Sequence, residues 1–272
     1  MLTPVTIDRA QTPVVILCGG LGTRIREASE SLPKPLVDIG GKPVLWHIMK
    51  IYSSFGFRKF VLCLGYKSDV VKAYFRNYRE NVSDFTLHLA KDREPEFHAQ
   101  TTGIEDWEIT FVETGLLTQT GGRLRRVRQH LGDQPFLLTY GDGVGNIDLD
   151  ALLAHHEATG ALGTVTAIRP SGRYGELDIA GGMVTEFDEK PAATGAWVSG
   201  GFFVFERAFA DDFLDDDPEL PLEGPPLKSI AAEGRLAVHQ HDGFWLGMDT
   251  YRDYLHLNEL WDSGRAPWKV WE

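Results

Sequence analysis

The sequence holds only two cysteines, Cys18 and Cys63. That is too few for a disulfide framework, and each lies in an apolar, strand-like run, so both are expected as buried, reduced thiols. No apolar run approaches the roughly 20 residues of a membrane span, and residues 1–12 lack the charged-then-apolar pattern of a secretory signal, so a soluble cytoplasmic protein is expected. Positive charge is scarce: 27 lysines and arginines against 39 acids give a formal net charge of −12. A surface of that sign excludes nucleic acid and acidic membranes as partners and requires any basic site to be local. Low-complexity stretches and internal repeats are absent. So are the G-x-x-x-x-G-K-[ST] phosphate loop, the G-x-G-x-x-G fingerprint and any convincing Ser-His-Asp or Cys-His set.

What is present is a chain of 272 residues, 43% hydrophobic and 24% charged, enough for one large or two modest globular domains. Strand and helix patterns alternate along it. The apolar run 14–17 reads as a buried strand, and a helix follows that starts at Pro43, carries apolar residues at helical spacing to Phe55 and stops at Gly56. Strands are expected at 60–65, 85–90, 108–113, 136–140 and 163–168, and helices at 70–78, 122–131 and 149–159. The polar stretch 91–106 reads as a long loop or an extended hairpin. This βαβα order predicts a mostly parallel sheet covered by helices on both faces. Short β patterns at 176–179, 183–187, 200–205, 236–240 and 244–246 suggest a smaller mixed-sheet region, and a helix over 250–263 ends the chain.

Ligands of open parallel sheets sit at the carboxyl ends of strands, so the residues just after strands carry the functional argument. After the first strand comes Gly19-Gly20-Leu21-Gly22-Thr23-Arg24. Its glycines let backbone amides approach phosphate oxygens, and Arg24 adds a fork of donors. Lys34 follows between Pro33 and Pro35, which are expected to hold the backbone extended on either side and so limit where the ammonium reaches. Asp142, between Gly141 and Gly143, is either a ligand for a hard divalent cation or a simple turn residue. Asp249 either caps the last helix or completes a metal site. Glu189-Lys190 is a sugar and phosphate binder or an exposed ion pair. The pair His155-His156 reads as surface or packing rather than as metal ligands.

Taken together and in order, GGLGTR, PKP, GDG, EKP and MDT resemble the sugar-nucleotidyltransferase, or nucleotide-sugar pyrophosphorylase, family, from about residue 13 to the carboxyl terminus. The stretches IGGKPVLWHIMKIYSSFG, TGGRLRRV, TYGDGV, GGFFVF and GRAPWKVWE are similar to its cytidylyl-transferring branch. The resemblance implies an α/β fold: a Rossmann-like, three-layer, mostly parallel mixed sheet with helices on both faces, plus a smaller sugar-binding β region. It implies an amino-terminal extension, 1–12, and a single nucleotidyltransferase domain, 13–272. Within that domain a nucleotide-binding part would run over 13–145, a sugar-binding part over 146–250, and a helix and tail over 250–272. The implied reaction joins CTP and α-D-glucose 1-phosphate to give CDP-glucose and pyrophosphate with Mg2+; UTP, dTTP or a modified hexose 1-phosphate are the alternatives, and a non-catalytic nucleotide-sugar-binding subunit is the runner-up. A homo-oligomer is implied, a hexamer included, with 91–106 and Trp261, Trp268 and Trp271 as contact candidates.

By match to the family pattern, Leu17, Gly19, Gly20, Gly22, Thr23 and Arg24 would hold the triphosphate, with Gly141 beside them. Lys34 would face the α-phosphate, and Asp142 and Asp249 would ligate Mg2+. Arg24, Lys34, Asp142 and Asp249 form the expected catalytic set. Glu113 would accept the cytosine amino group, and Gly121 and Gly122 would leave room for the base. Tyr174, Gly175, Glu189, Lys190 and Gly200 would bind the sugar phosphate, with Asp178 nearby. Departures from the pattern are Cys18 for alanine, Leu32 for a first lysine, Glu113 for aspartate, and Trp197 and Ser199 before GGFFVF; the last pair adjoins the sugar pocket and keeps a modified hexose open.

Overall fold

The computed structural model describes residues 7–20, 32–90, 93–98, 103–169 and 197–272, and the backbone of 176–180 and 183–188. Seven strands form the central sheet: β1 (Pro13–Leu17), β2 (Lys59–Leu64), β3 (Glu108–Glu113), β4 (Phe136–Tyr140), β5 (Gly163–Ile168), β6 (Val198–Phe205) and β7 (Leu236–His241). Their order is β7-β5-β6-β4-β1-β2-β3. Only β6 runs against its neighbours; the other pairings are parallel.

The helices are α1 (Val44–Ser54), α2 (Ser68–Arg76), α3 (Thr120–Val127), α4 (Leu149–Thr159), α5 (Arg207–Asp212), α6 (Pro225–Ala232) and α7 (Tyr251–Asp262), with a further short turn of helix at Tyr78–Asn81. The period-2 alternation of side chains splits the core into two layers. Val14, Ile16, Leu62, Leu137, Phe202 and Val204 pack under α1 and α4 on one face. Val15, Leu17, Val61, Cys63, Leu138, Phe203 and Phe205 pack under α3, α5 and α6 on the other. Both cysteines are buried thiols, as their runs predict.

The alternation read from the sequence holds through most of the chain, and four differences have physical causes. Residues 85–90 do not form a strand beyond Phe85–Thr86, which pairs with Glu96–Phe97 as a hairpin outside the sheet. Leu87 and Leu89 are exposed there, because no second layer faces them. The strands at 198–205 and 236–241 join the central sheet beside 163–168 rather than a separate one, so the smaller β region reduces to the hairpin 176–180/183–188 and the pair 143–145/245–247. Pro43 is not the first helical residue: it ends a two-residue β pair and stands as the N-cap of α1. The tryptophans expected at a subunit contact pack within the chain: Trp268 is fully buried, and Trp261 and Trp271 lie against the α1 side of the core. No described helix is long and apolar enough to cross a membrane.

Candidate active site

The chain runs from β1 outward to β2 and β3, then returns to place β4 on the other side of β1. That reversal opens a crevice at the carboxyl ends of β1 and β4. A cavity of about 230 Å³ lies there, lined by residues that follow these two strands, by Lys34 and Pro35, and by the start of α3.

Lys34 opens a single 3-10 turn, Lys34–Leu36; Pro33 before it is extended, so the backbone is not extended on both sides as expected. The turn closes by Leu36 and Val37 amides donating to Pro33 and Lys34 carbonyls, at 2.8 and 3.1 Å. Pro33 and Pro35 are buried, which fixes the lysine stem from below. Its Nζ donates to Asp142 Oδ2 at 2.5 Å and to Asp249 Oδ1 at 2.9 Å. Burial works against the charge on Lys34, but Asp142 and Asp249 outweigh it and raise its pKa above the ordinary lysine value.

The two aspartates are 107 positions apart in number, and a small β pair joins them. Strand residues Gly143–Gly145 run antiparallel to Trp245–Gly247, and the Met248 amide donates to the Asp142 carbonyl at 2.8 Å. Asp249 is not the cap of the last helix: its neighbour Thr250 is the N-cap of α7, in a reciprocal capping box with Asp253. Both carboxylates thus converge on one ammonium. A point reached by two carboxylates suits a hard divalent cation that takes its remaining oxygens from phosphates and water. Among the described residues no group of three or more ligating side chains gathers elsewhere.

One wall of the cavity is built on a residue that the sequence reading did not single out. Arg123, on α3, is 5% exposed. Its guanidinium donates to the carbonyls of Gly19 (3.0 Å), Leu64 (3.2 Å) and Leu116 (3.2 Å) and to Thr114 Oγ1 (2.8 Å), tying together the carboxyl ends of β1, β2 and β3. Burial lowers its pKa from the ordinary arginine value. A Cβ on Gly19 would fall 1.9 Å from Arg123 Nη1, so any side chain there would displace the guanidinium. The signal in the sequence was an arginine on a helix that opens TGG, directly after a strand end.

Gly20, by contrast, is exposed and open, with nothing within 4 Å of a Cβ position. Leu17, Gly19, Gly20, Lys34, Gly141 and Asp142 line the cavity. Glu113 does not: it lies at the exposed end of β3, where Lys72 donates to its carboxylate and that bond, with one from Ser68, holds its pKa below the usual range. The structure thus places Glu113 away from the cavity, with its carboxylate engaged by Lys72. Gly121 and Gly122 face neighbouring backbone on their Cβ side. A Cβ on Gly121 would lie 2.9 Å from the Leu220 carbonyl oxygen and one on Gly122 2.8 Å from that of Asp217, so both serve the close approach of 217–222 to α3.

Gly200 sits in β6 outside the cavity lining, its carbonyl accepting from Trp245 Nε1 at 2.7 Å. Ser199 is exposed and its Oγ accepts from the Gly201 amide at 3.3 Å, while Trp197 lies under the Arg169 guanidinium at 4.3 Å. Leu32 is half-buried against the core. His156 is buried, bonded to Thr164 Oγ1 at 2.7 Å, in keeping with packing. Gly22, Thr23, Arg24, Tyr174, Gly175, Glu189 and Lys190 lie outside the described residues, as does the Asp178 side chain.

A family model described as nucleotidyl transferase matches residues 13–262. The chain is 48% identical to the glucose-1-phosphate cytidylyltransferase of Salmonella typhimurium over 259 residues, 95% of this chain and 99% of that protein. It is 45% identical to a probable glucose-1-phosphate cytidylyltransferase of Bacillus subtilis over 258 residues, 94% and 99% of the two chains. The crystal structure of HddC from Yersinia pseudotuberculosis superposes with a TM-score of 0.66 at 21% identity, over 92% of this chain and 99% of that one, a likeness of fold. A crevice at the switch point, a lysine between two aspartates and a match running almost from end to end converge on one conclusion: the chain belongs to the nucleotidyl transferase family.

Proposed function

We propose that the protein is a glucose-1-phosphate cytidylyltransferase, joining CTP and α-D-glucose 1-phosphate to give CDP-glucose and pyrophosphate. The observation that carries this is Lys34 held between Asp142 and Asp249 at the mouth of the β1/β4 crevice; the choice of substrates is supported by the names of the relatives at 48% and 45% identity.

Lys34 would turn from the carboxylates to the α-phosphate and stabilise charge there as a sugar phosphate oxygen bonds to the α-phosphorus and the bond to the departing pyrophosphate breaks. A phosphate dianion is already a nucleophile, so no residue need remove a proton. Asp142 and Asp249 would hold Mg2+, which clamps and neutralises phosphate oxygens when bound. Gly20 gives its open backbone to the triphosphate, and Arg24 would compensate charge on the leaving pyrophosphate. Tyr174, Gly175, Glu189 and Lys190 are assigned to the sugar phosphate. A cytoplasmic homo-oligomer belongs to the same proposal, with the outlying hairpin and its exposed Leu89 as a contact.

The test is pyrophosphate release with CTP, UTP, dTTP and GTP against several hexose 1-phosphates. CTP with glucose 1-phosphate is expected to lead, and release from another pair alone would reassign the substrates. Lys34→Ala and Asp142→Asn should each lower kcat/KM by at least about a thousandfold with the fold intact; near-normal turnover in either removes the mechanism.

A further inference from the structure

We infer that Glu223 sets which nucleoside base the cavity accepts, by fixing the hydroxyls of Thr120 and Tyr140 as hydrogen-bond acceptors. The inference rests on the proposed nucleotide site and adds to it a specificity-determining carboxylate.

Glu223 stands just before α6, about a hundred positions from Thr120 and more than eighty from Tyr140. Thr120 Oγ1 donates to its Oε2 at 2.7 Å, and the Tyr140 hydroxyl donates to its Oε1. Thr120 Oγ1 also accepts from the Leu222 amide at 2.8 Å. Both hydroxyl-bearing residues line the cavity, Thr120 at the start of α3 and Tyr140 two residues before Asp142.

The tyrosine ring has no freedom to swing away. A Cβ on Gly201 would lie 2.4 Å from Tyr140 Cδ2, at a backbone φ of +75°, so glycine there lets the chain press on the ring. Phe203 meets it edge-on at 6.2 Å.

An ionised carboxylate only accepts. With both hydroxyl protons committed to it, Thr120 and Tyr140 present lone pairs to a ligand, and a ligand atom that meets them must carry an N–H or O–H. The 4-amino group of cytosine does; the 4-oxo group of uracil or thymine sets lone pair against lone pair. A ribose hydroxyl has the same donor chemistry, so the experiment separates the two sources.

Glu223→Gln keeps the shape, and at this exposed position it should keep the fold. Its amide nitrogen must donate toward one of the two hydroxyls, which turns that O–H into the cavity and offers a donor to a 4-oxo base. The ratio of kcat/KM for CTP over UTP should fall about tenfold, the weight of one hydrogen bond, through KM rather than kcat. Tyr140→Phe should shift the ratio the same way, and Glu223→Asp should retain the CTP preference. An unchanged CTP/UTP ratio in both Glu223→Gln and Tyr140→Phe overturns the inference. A loss of preference for CTP over 2′-deoxy-CTP, with CTP/UTP unchanged, also overturns it and moves the carboxylate to the ribose. Calorimetric binding of CTP and UTP reports the same ratio without turnover, so a wild-type protein that released no pyrophosphate would fail the proposed function while leaving Glu223 tested.

Discussion

Lys34 carries one charge where the proposed mechanism needs a divalent cation, and this gives the lysine two separable roles. While its Nζ lies 2.5 and 2.9 Å from the two carboxylates, it neutralises much of the charge a cation would seek. Removing it should therefore act in opposite directions on two measurements. Turnover falls in Lys34→Ala, yet the nucleotide-free protein should bind Mn2+ several-fold more tightly than wild type, because the two carboxylates lose the ammonium they share. Electron paramagnetic resonance of free Mn2+ reads this directly. Affinity unchanged or weakened would mean that Asp142 and Asp249 are not the cation site. The members of this cluster could be singled out in the sequence, because Gly-Asp-Gly after a strand and Pro-Lys-Pro are rare and local. The pairing that brings Asp142 and Asp249 to one ammonium was not legible, since a three-residue β pair between 143–145 and 245–247 has no periodicity to read.

At the scale of elements, α3 shows where glycine misleads. Two glycines in a row at the start of a helix suggested space for a ligand; in the fold they are contact points. The Gln119 and Gly122 amides donate to the Pro218 and Leu220 carbonyls at 2.8 and 3.1 Å, so 217–222 runs hard against the helix. Replacing glycine by alanine in a helix normally stabilises it by up to about 1 kcal/mol. At Gly122 the sign reverses, because the added Cβ meets the backbone oxygen of Asp217 at 2.8 Å and a backbone atom cannot rotate aside. Gly122→Ala should destabilise by roughly 1–3 kcal/mol in urea unfolding and raise the KM for nucleotide by moving Thr120 from Glu223. Equal or higher stability would show that 217–222 yields freely. Strands sealed between two layers, such as β1 and β4, and helices with a buried face, such as α1 and α4, were readable within a residue or two because burial imposes the pattern. The exceptions were the hairpin at 85–97, alternating but facing no layer, and the short helices α5 and α6, which flank the acidic, proline-containing segment 213–224 and have no periodic run long enough to mark them.

For the whole molecule, the carboxyl-terminal tail closes onto α1 through one histidine. His47 is fully buried, its ring 4.6 Å from Trp261 and 6.2 Å from Trp268. Its Nε2 bonds the Ile39 carbonyl at 2.8 Å and its Nδ1 accepts from Trp268 Nε1 at 3.4 Å, an arrangement only the neutral ring satisfies. Burial lowers its pKa from 6.5 to about 4. In the unfolded chain the same histidine takes up a proton below about 6.5, so between that pH and about 4 the unfolded state binds more protons than the folded one. Stability from His47 is therefore complete above pH 6.5 and is lost as pH falls toward 4, by about 3 kcal/mol over the window. His47→Gln keeps a donor for Ile39 and an acceptor for Trp268 but does not titrate. Urea unfolding at several pH values between 7 and 4 should give a shallower loss of stability in the variant than in wild type, while the slopes due to carboxylates, common to both, cancel in the difference. Tryptophan emission should shift at lower pH in the variant, because Trp261, Trp268 and Trp271 all surround this ring. Parallel stability curves would mean that the tail is held by apolar packing alone, with the imidazole free to protonate in place.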